Sequence, residues 1–248
     1  MMKQVLVLDI GNSRIKWGLA GPSGWIESDA GSNIEIERLF SQWRHLNNPW
    51  KIVGSNVAST KVADKVESYW HERGIGLKWI QTSEAACGVT NRYERPELLG
   101  TDRWAALIGA WHRTERSCLV VAAGTAMTID MLNDKGEFMG GQILPGRNLM
   151  LGSLVSGTHA LQDHPGQVRT LPRNTADAMA TGIANALVSS IENVYRQMRA
   201  SSGDSPACLI TGGDAKWLHE HLNIDARIEP MLVLDGLLRI AEEEESGL

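Results

Sequence analysis

The sequence predicts an α/β fold in two lobes, and three observations carry that prediction. An apolar run ending in an acidic, glycine-containing turn opens the chain as Val5-Leu6-Val7-Leu8-Asp9-Ile10-Gly11-Asn12-Ser13 and continues through Arg14 and Ile15 to Lys16. About 110 residues later nearly the same pattern returns, as Cys118-Leu119-Val120-Val121-Ala122-Ala123-Gly124-Thr125-Ala126, running on to Thr128, Ile129 and Asp130. After each copy, short apolar runs alternate with helical stripes. A buried-type strand, a Gly-Asn or Gly-Thr turn and a return to alternating apolar residues describe a hairpin. Glycine in such a turn lets the backbone approach a ligand, and neighbouring amides and hydroxyls hold phosphate oxygens. Two such turns facing each other across a cleft would grip a polyphosphate from both sides, so a nucleotide is the expected ligand.

The elements follow in order. Gly21-Pro22-Ser23-Gly24 reads as a turn before a strand around Trp25. Residues 34–46 place Ile34, Ile36, Leu39, Phe40 and Trp43 on one helical stripe. Lys51-Ile52-Val53-Gly54-Ser55-Asn56-Val57 reads as a strand ending in a small-residue loop, 60–73 as a helix, and Gly76 to Ile80 as a further strand. The second hairpin continues through Met131-Leu132, the turn Asn133-Asp134-Lys135-Gly136, and a strand from Met139 to Leu144. Helices are expected at 147–155 and 175–199. Ala207 to Ile210 is a buried-type strand running into Thr211-Gly212-Gly213-Asp214 and a helix through Trp217 and Leu218. Glu242 to Glu245 reads as a solvated tail. The expected lobes are 1–115 and 116–248, with no low-complexity linker between them.

Bulk properties exclude several classes. With 248 residues, 43% apolar and 21% charged, the chain has enough material for two packed cores. A net charge of -5 without a basic cluster argues against nucleic-acid binding. The apolar run Val5 to Leu8 is too short for a signal peptide or a membrane span, so the cytoplasm is expected. Three cysteines (Cys87, Cys118 and Cys208) without Cys-x-x-Cys spacing give no disulfide framework or zinc site. His219 and His221, two apart, would point in different directions on a helix, so no metal centre is expected from side-chain clusters.

Four segments could carry chemistry. In Asp9-x-Gly11-Asn12-Ser13-x-x-Lys16, Asp9 could orient hydrated magnesium, Gly11 and Asn12 could approach phosphates, and Lys16 could neutralise their charge. The competing reading is a tight turn with a surface lysine. Gly124-Thr125 and Thr211-Gly212-Gly213 carry less information singly, but a nucleotide site explains all three together. Gly100-Thr101-Asp102-Arg103 precedes the helical stripe Trp104, Leu107, Ile108 and Trp111. Either Thr101 caps that helix and Asp102 complements its dipole, or Asp102 takes a proton from a substrate hydroxyl while Arg103 pairs with a substrate carboxylate.

In combination these segments resemble the type III pantothenate kinases, within the superfamily of acetate and sugar kinases, heat-shock ATPases and actin. The matching pieces are Asp9 to Lys16, Gly100 to Arg103, Gly124 to Asp130, Gly140-Gly141-Gln142-Ile143-Leu144-Pro145-Gly146, Asn174-Thr175 and Thr211 to Ala215, in the family's order. The resemblance implies actin-like, ribonuclease H-like lobes with ATP and magnesium in the cleft between them. It also implies a homodimer that phosphorylates pantothenate, the first step toward coenzyme A. It assigns Asp9, Ile10, Gly11, Asn12, Ser13, Arg14, Ile15, Lys16 and Thr125 to ATP, and Asp102 to general-base catalysis. Tyr93, Gly100, Thr101, Asp102 and Arg103 would line the pantothenate pocket, with Thr175 reaching in from the partner subunit. The family's second phosphate motif usually begins with an aspartate that helps hold potassium or ammonium, and this chain has Ala122 there. That places the monovalent cation in doubt. It also leaves open a nucleotide-responsive regulatory or accessory protein with little turnover. A third class, a superfamily kinase acting on a different carboxylate-bearing alcohol or acyl group, is disfavoured by Gly100 to Arg103.

Overall fold

The computed structural model describes residues 4–46, 49–158 and 165–246. In chain order the elements are β1 (Val5–Ile10), β2 (Arg14–Gly21), β3 (Gly24–Ser32), α1 (Ile36–Trp43), β4 (Lys51–Asn56), α2 (Thr60–His71) and β5 (Leu77–Trp79). They continue with β6 (Ala85–Ala86), β7 (Val89–Asn91), α3 (Thr101–Thr114), β8 (Cys118–Ala123), β9 (Ala126–Leu132) and β10 (Glu137–Pro145). The last are α4 (Arg147–Gly157), α5 (Thr175–Ser202), β11 (Ala207–Thr211), α6 (Ala215–His221), β12 (Arg227–Ile228) and α7 (Leu232–Ser246). Among the described residues no helix is long and apolar enough to cross a membrane.

Two compact units emerge. The first takes residues up to 113, residues 136–138 and the chain from 231 onward; the second takes 114–135 and 139–230.

In unit 1 the strand order is β3-β2-β1-β4-β5. β1 and β2 form an antiparallel hairpin, and β4 joins β1 in parallel. α1 forms because Ile36, Leu39, Phe40 and Trp43 recur at helical spacing, and all four are buried. Together with Val66, Tyr69 and Trp70 of α2 they cover Leu6, Leu8, Ile10 and Trp17 of the sheet. α7 packs on β1, β2 and β4. It comes close to α3 through two glycines: a Cβ on Gly109 would lie 2.2 Å from the Leu232 carbonyl oxygen, and one on Gly236 would lie 1.8 Å from that of Ala105. The acidic run read as a solvated tail is therefore helical, and Lys51 and Lys78 both hydrogen-bond Glu244.

Unit 2 repeats the plan, with neighbouring strands in the order β10-β9-β8-β11-β12. β8 and β9 form the antiparallel hairpin, and β11 joins β8 in parallel. Ile183, Leu187, Ile191 and Val194 of α5 pack on Leu119, Val121, Ile129 and Ile210 of the sheet. Asn174 caps α5 by accepting the Asp177 amide at 2.8 Å, and Gly203 ends it at φ 79°. Cys118 and Cys208 are buried on strands. His219 and His221 each place a ring nitrogen against a backbone carbonyl, of Ala226 and Trp217.

Candidate nucleotide and substrate site

Asp9 is the fifth residue of β1, and the strand register sets its neighbours. Across the hairpin it pairs with Lys16, and on the parallel side with Ser55 of β4. The turn between β1 and β2 is closed by the Gly11 amide donating to the Arg14 carbonyl at 3.0 Å. Asn33 fixes it from outside, with its side-chain amide on the Gly11 carbonyl at 2.6 Å and its backbone amide on that of Ser13 at 3.2 Å. Ile10 and Ile15 are core residues that close the hairpin beneath this turn. Asp9 Oδ1 is enclosed and has no hydrogen-bond partner. Burial pushes its carboxyl up from 3.8 to about 7, with the Lys16 charge opposing the rise and Asp102 adding to it.

Asp102 reaches the same region through α3. Thr101 is the first residue of that helix, and its hydroxyl lies 2.9 Å from the hydroxyl of Ser55, which is fully buried. Thr101 thus links the helix start to the strand beside Asp9. The carbonyl of Gly100 accepts the Trp104 amide at 2.9 Å, and Asp102 Oδ1 accepts the Arg103 amide at 2.8 Å. A Cβ on Gly100 would fall 2.7 Å from Asp102 Oδ1, so glycine leaves that carboxylate its place. Burial raises the Asp102 pKa, partly offset by the Arg103 amide and charge. A carboxylate so raised is a better proton acceptor than an ordinary one.

Arg103 is buried, with Nη1 donating to the Tyr93 hydroxyl at 3.0 Å. Its guanidinium carbon lies 5.6 Å from the Tyr93 ring centre and 5.7 Å from that of Phe138. A planar cation framed by two rings, one of them bearing the hydroxyl it donates to, is preorganised for a carboxylate. The structure thus brings Asp9, Lys16, Thr101, Asp102, Arg103 and Tyr93 into one unit. Asn33 and Ser55 join them without having been singled out in the sequence, where Ser55 showed only as a small residue at a strand end.

In unit 2 three separated glycine segments meet. Gly124-Thr125 is the two-residue connection between β8 and β9, and the Thr125 carbonyl accepts the Gly146 amide at 2.8 Å. A Cβ on Gly146 would lie 2.0 Å from the Gly124 carbonyl oxygen. Gly212, at φ 102°, sits where a Cβ would be 2.2 Å from the Ala123 carbonyl oxygen, and the Asp214 amide donates to that oxygen at 3.1 Å. Arg147 follows Gly146, reaches Asp214 at 3.4 Å and lies 5.1 Å from the Trp217 ring centre. Thr125 is exposed at the turn; Thr175 is exposed on a separate element, at the start of α5.

Ala122 occupies in β8 the place Asp9 holds in β1. Its register partners are Thr128 on β9 and Thr211 on β11. Both threonines are buried, and both hydroxyls are without a hydrogen-bond partner. Two neutral hydroxyls and a methyl group supply no compensating charge, so this row does not fit a monovalent cation held by a carboxylate. Asp9, with its unpartnered enclosed oxygen, does fit a hydrated divalent cation.

A family model described as type III pantothenate kinase matches residues 5–197. The type III pantothenate kinase of Nitrosospira multiformis is 39% identical over 239 residues, covering 96% of this chain and 91% of that protein. That of Aromatoleum aromaticum is 40% identical over 243 residues, covering 98% and 100%. Among solved structures, a Campylobacter jejuni protein assigned to the Baf family of transcriptional activators superposes with a TM-score of 0.65 at 21% identity, covering 98% of this chain and 100% of that one. The activator of the 2-hydroxyisocaproyl-CoA dehydratase from Clostridium difficile, with bound ADPNP, gives 0.55 at 12% identity, covering 98% and 97%. At such identities the structures establish the fold alone, the duplicated α/β fold of the actin-like kinases and ATPases. With a whole-chain match to its relatives and the family model aligned over most of its length, this chain belongs to the type III pantothenate kinase family.

Proposed function

We propose that this protein transfers the γ-phosphoryl group of ATP to the primary hydroxyl of pantothenate, giving 4'-phosphopantothenate and ADP. The observation that carries the proposal is the convergence, within unit 1, of a raised carboxylate on Asp102, the buried Arg103 guanidinium and the unpartnered oxygen of Asp9. Arg103 and Tyr93 bind the pantothenate carboxylate, which orients its hydroxyl toward Asp102. Asp102 accepts the hydroxyl proton as the oxygen bonds to the γ-phosphorus, and the bond to the bridging oxygen breaks to release ADP. In unit 1 the amides around Gly11 to Ser13 and Lys16 hold phosphate oxygens, and in unit 2 Thr125 is a phosphate contact. Asp9 would hold the magnesium that accompanies ATP, which neutralises charge on the phosphate oxygens. No step is assigned to a monovalent cation.

The protein acts as a homodimer, with Thr175 contributing to the partner's pantothenate pocket. Support comes from unit 2, which exposes Met139, Ile143, Leu149, Leu154, Val168 and Leu171. Three free cysteines suit the reducing cytoplasm. Ala122 is the feature behind a second reading, a regulatory protein of this fold with little turnover, and the match to type III pantothenate kinases favours the kinase over it.

A coupled assay of ADP release with ATP, magnesium and pantothenate decides between the two. The kinase reading expects turnover with pantothenate and little with pantothenol, which lacks the carboxylate. Arg103→Lys should raise the pantothenate KM, because a point charge replaces a two-bond fork. Equal use of pantothenate and pantothenol would remove Arg103 from that role, and absence of turnover would favour the regulatory reading.

A further inference from the structure

We infer that Glu243, on the C-terminal helix, is a positioning residue for the pantothenate pocket, acting through the Cys87-Gly88 turn. This rests on the placement of pantothenate at Tyr93 and Arg103. The two-residue turn joins β6 to β7, with Ala86 facing Val89 across it. Both turn residues have positive φ, 50° at Cys87 and 77° at Gly88. Tight hairpins of this kind favour Asn-Gly, because asparagine adopts the left-handed conformation at lower cost than cysteine. Glu243 supplies what the turn sequence lacks: one carboxylate oxygen accepts the Cys87 amide at 2.8 Å and the other accepts its thiol at 3.3 Å. Burial, followed by the bond to Glu243, lifts the Cys87 thiol to about 12, so it stays protonated as a donor.

Both ends of this contact are anchored. Near the carboxylate, Lys51 donates to the Ala241 carbonyl at 2.9 Å and to Glu244 at 2.9 Å, while Lys78 donates to Glu244 at 2.7 Å. Beyond the turn, the Thr90 amide donates to the Gly136 carbonyl at 3.0 Å, and the Asn91 side-chain amide reaches the Pro96 carbonyl at 3.1 Å. The Asn91 side-chain oxygen accepts the Tyr93 amide at 3.1 Å, and the Tyr93 hydroxyl accepts from Arg103. A displaced turn therefore displaces Tyr93, and with it the ring and hydroxyl that orient the guanidinium.

The test compares Glu243→Ala, Cys87→Asn and the double variant in the full-length protein. Glu243→Ala should raise the pantothenate KM about tenfold, equivalent to ~1.4 kcal/mol, and leave kcat and the ATP KM within about twofold. Amide exchange over residues 85–93 should accelerate in the same variant. Adding Cys87→Asn, which restores a self-holding Asn-Gly turn, should return both readouts toward the parent; a loss caused by general loosening of α7 would not be rescued this way. An unchanged pantothenate KM in Glu243→Ala, or a rise that Cys87→Asn leaves in place, overturns the inference. Arg103→Lys serves as the control for the pocket. If it raises the pantothenate KM while Glu243→Ala does not, only the role of Glu243 is lost; if neither moves it, the pocket assignment fails and the inference falls with it.

Discussion

Replacing Gly146 with alanine tests whether the β8–β9 turn is a nucleotide site shaped by its neighbours. The backbone there, at φ -69° and ψ 171°, accepts any residue, so the effect is steric alone. The new Cβ would stand 2.0 Å from the Gly124 carbonyl oxygen and 2.7 Å from that of Thr125. Ordinary contact lies near ~3.5 Å, so the turn or the start of α4 must retreat by roughly 1.5 Å. A misplacement of about 1 Å costs on the order of 10²-fold in a positioned reaction. Gly146→Ala should therefore lower kcat/KM for ATP about a hundredfold, measured by ADP release at saturating pantothenate. The pantothenate KM, which we assign to unit 1, should change little. Overpacking also costs ~1–3 kcal/mol of stability, so a thermal melt must show a folded variant at the assay temperature. A folded Gly146→Ala protein with parental kcat/KM for ATP would refute the assignment of Gly124-Thr125 to the phosphates.

Three further outcomes follow from named groups. Asp102→Asn keeps the shape but cannot accept the proton, so turnover should fall about 10²- to 10⁴-fold with ATP binding, followed by calorimetry, largely retained; near-normal turnover removes Asp102 from the mechanism. With Ala122 between two neutral threonines, activity should depend weakly on potassium, and Ala122→Asp should strengthen that dependence. Titrating potassium against sodium at constant ionic strength reads this, and strong saturable activation of the parent protein would contradict it. Finally, Asp9 in the nucleotide-free protein keeps a proton that the unfolded chain gives up above 3.8, so its contribution to stability is lost as pH rises from 3.8 to about 7. Melts of parent and Asp9→Asn in chelator should show the variant gaining on the parent across that window, by a few kcal/mol at ~1.36 kcal/mol per unit; parallel curves would mean the carboxyl is not perturbed.

Local chemistry made much of this protein readable from its sequence. An apolar run ended by a glycine turn specifies a hairpin through residues adjacent in the chain, which is why both β1–β2 and β8–β9 were visible. The stripe of Ile36, Leu39, Phe40 and Trp43 needs only helical periodicity to declare α1. Asp102 and Arg103 announced themselves as a charged pair at a helix start, and the roles we propose for them, base and anion binder, rest on that pair together with the motif set.

What the tertiary structure decided is non-local. Ser55 matters because parallel pairing of β1 with β4 sets it beside Asp9 and because Thr101, 46 residues on, turns its hydroxyl to it. No pattern within either segment encodes that register. The same holds for Thr128 and Thr211, which become the neighbours of Ala122 only when β8 is paired on both sides. Gly146 and Gly212 stood out as motif glycines, but only the fold brings the carbonyls of Gly124 and Ala123 to where their side chains would have been. The acidic end of α7 reads as solvated by composition, yet Lys51, Lys78 and Cys87 come from three distant segments to meet it. Hydrogen-bond partners far apart in the chain are chosen by the packing of whole elements, which no local pattern encodes.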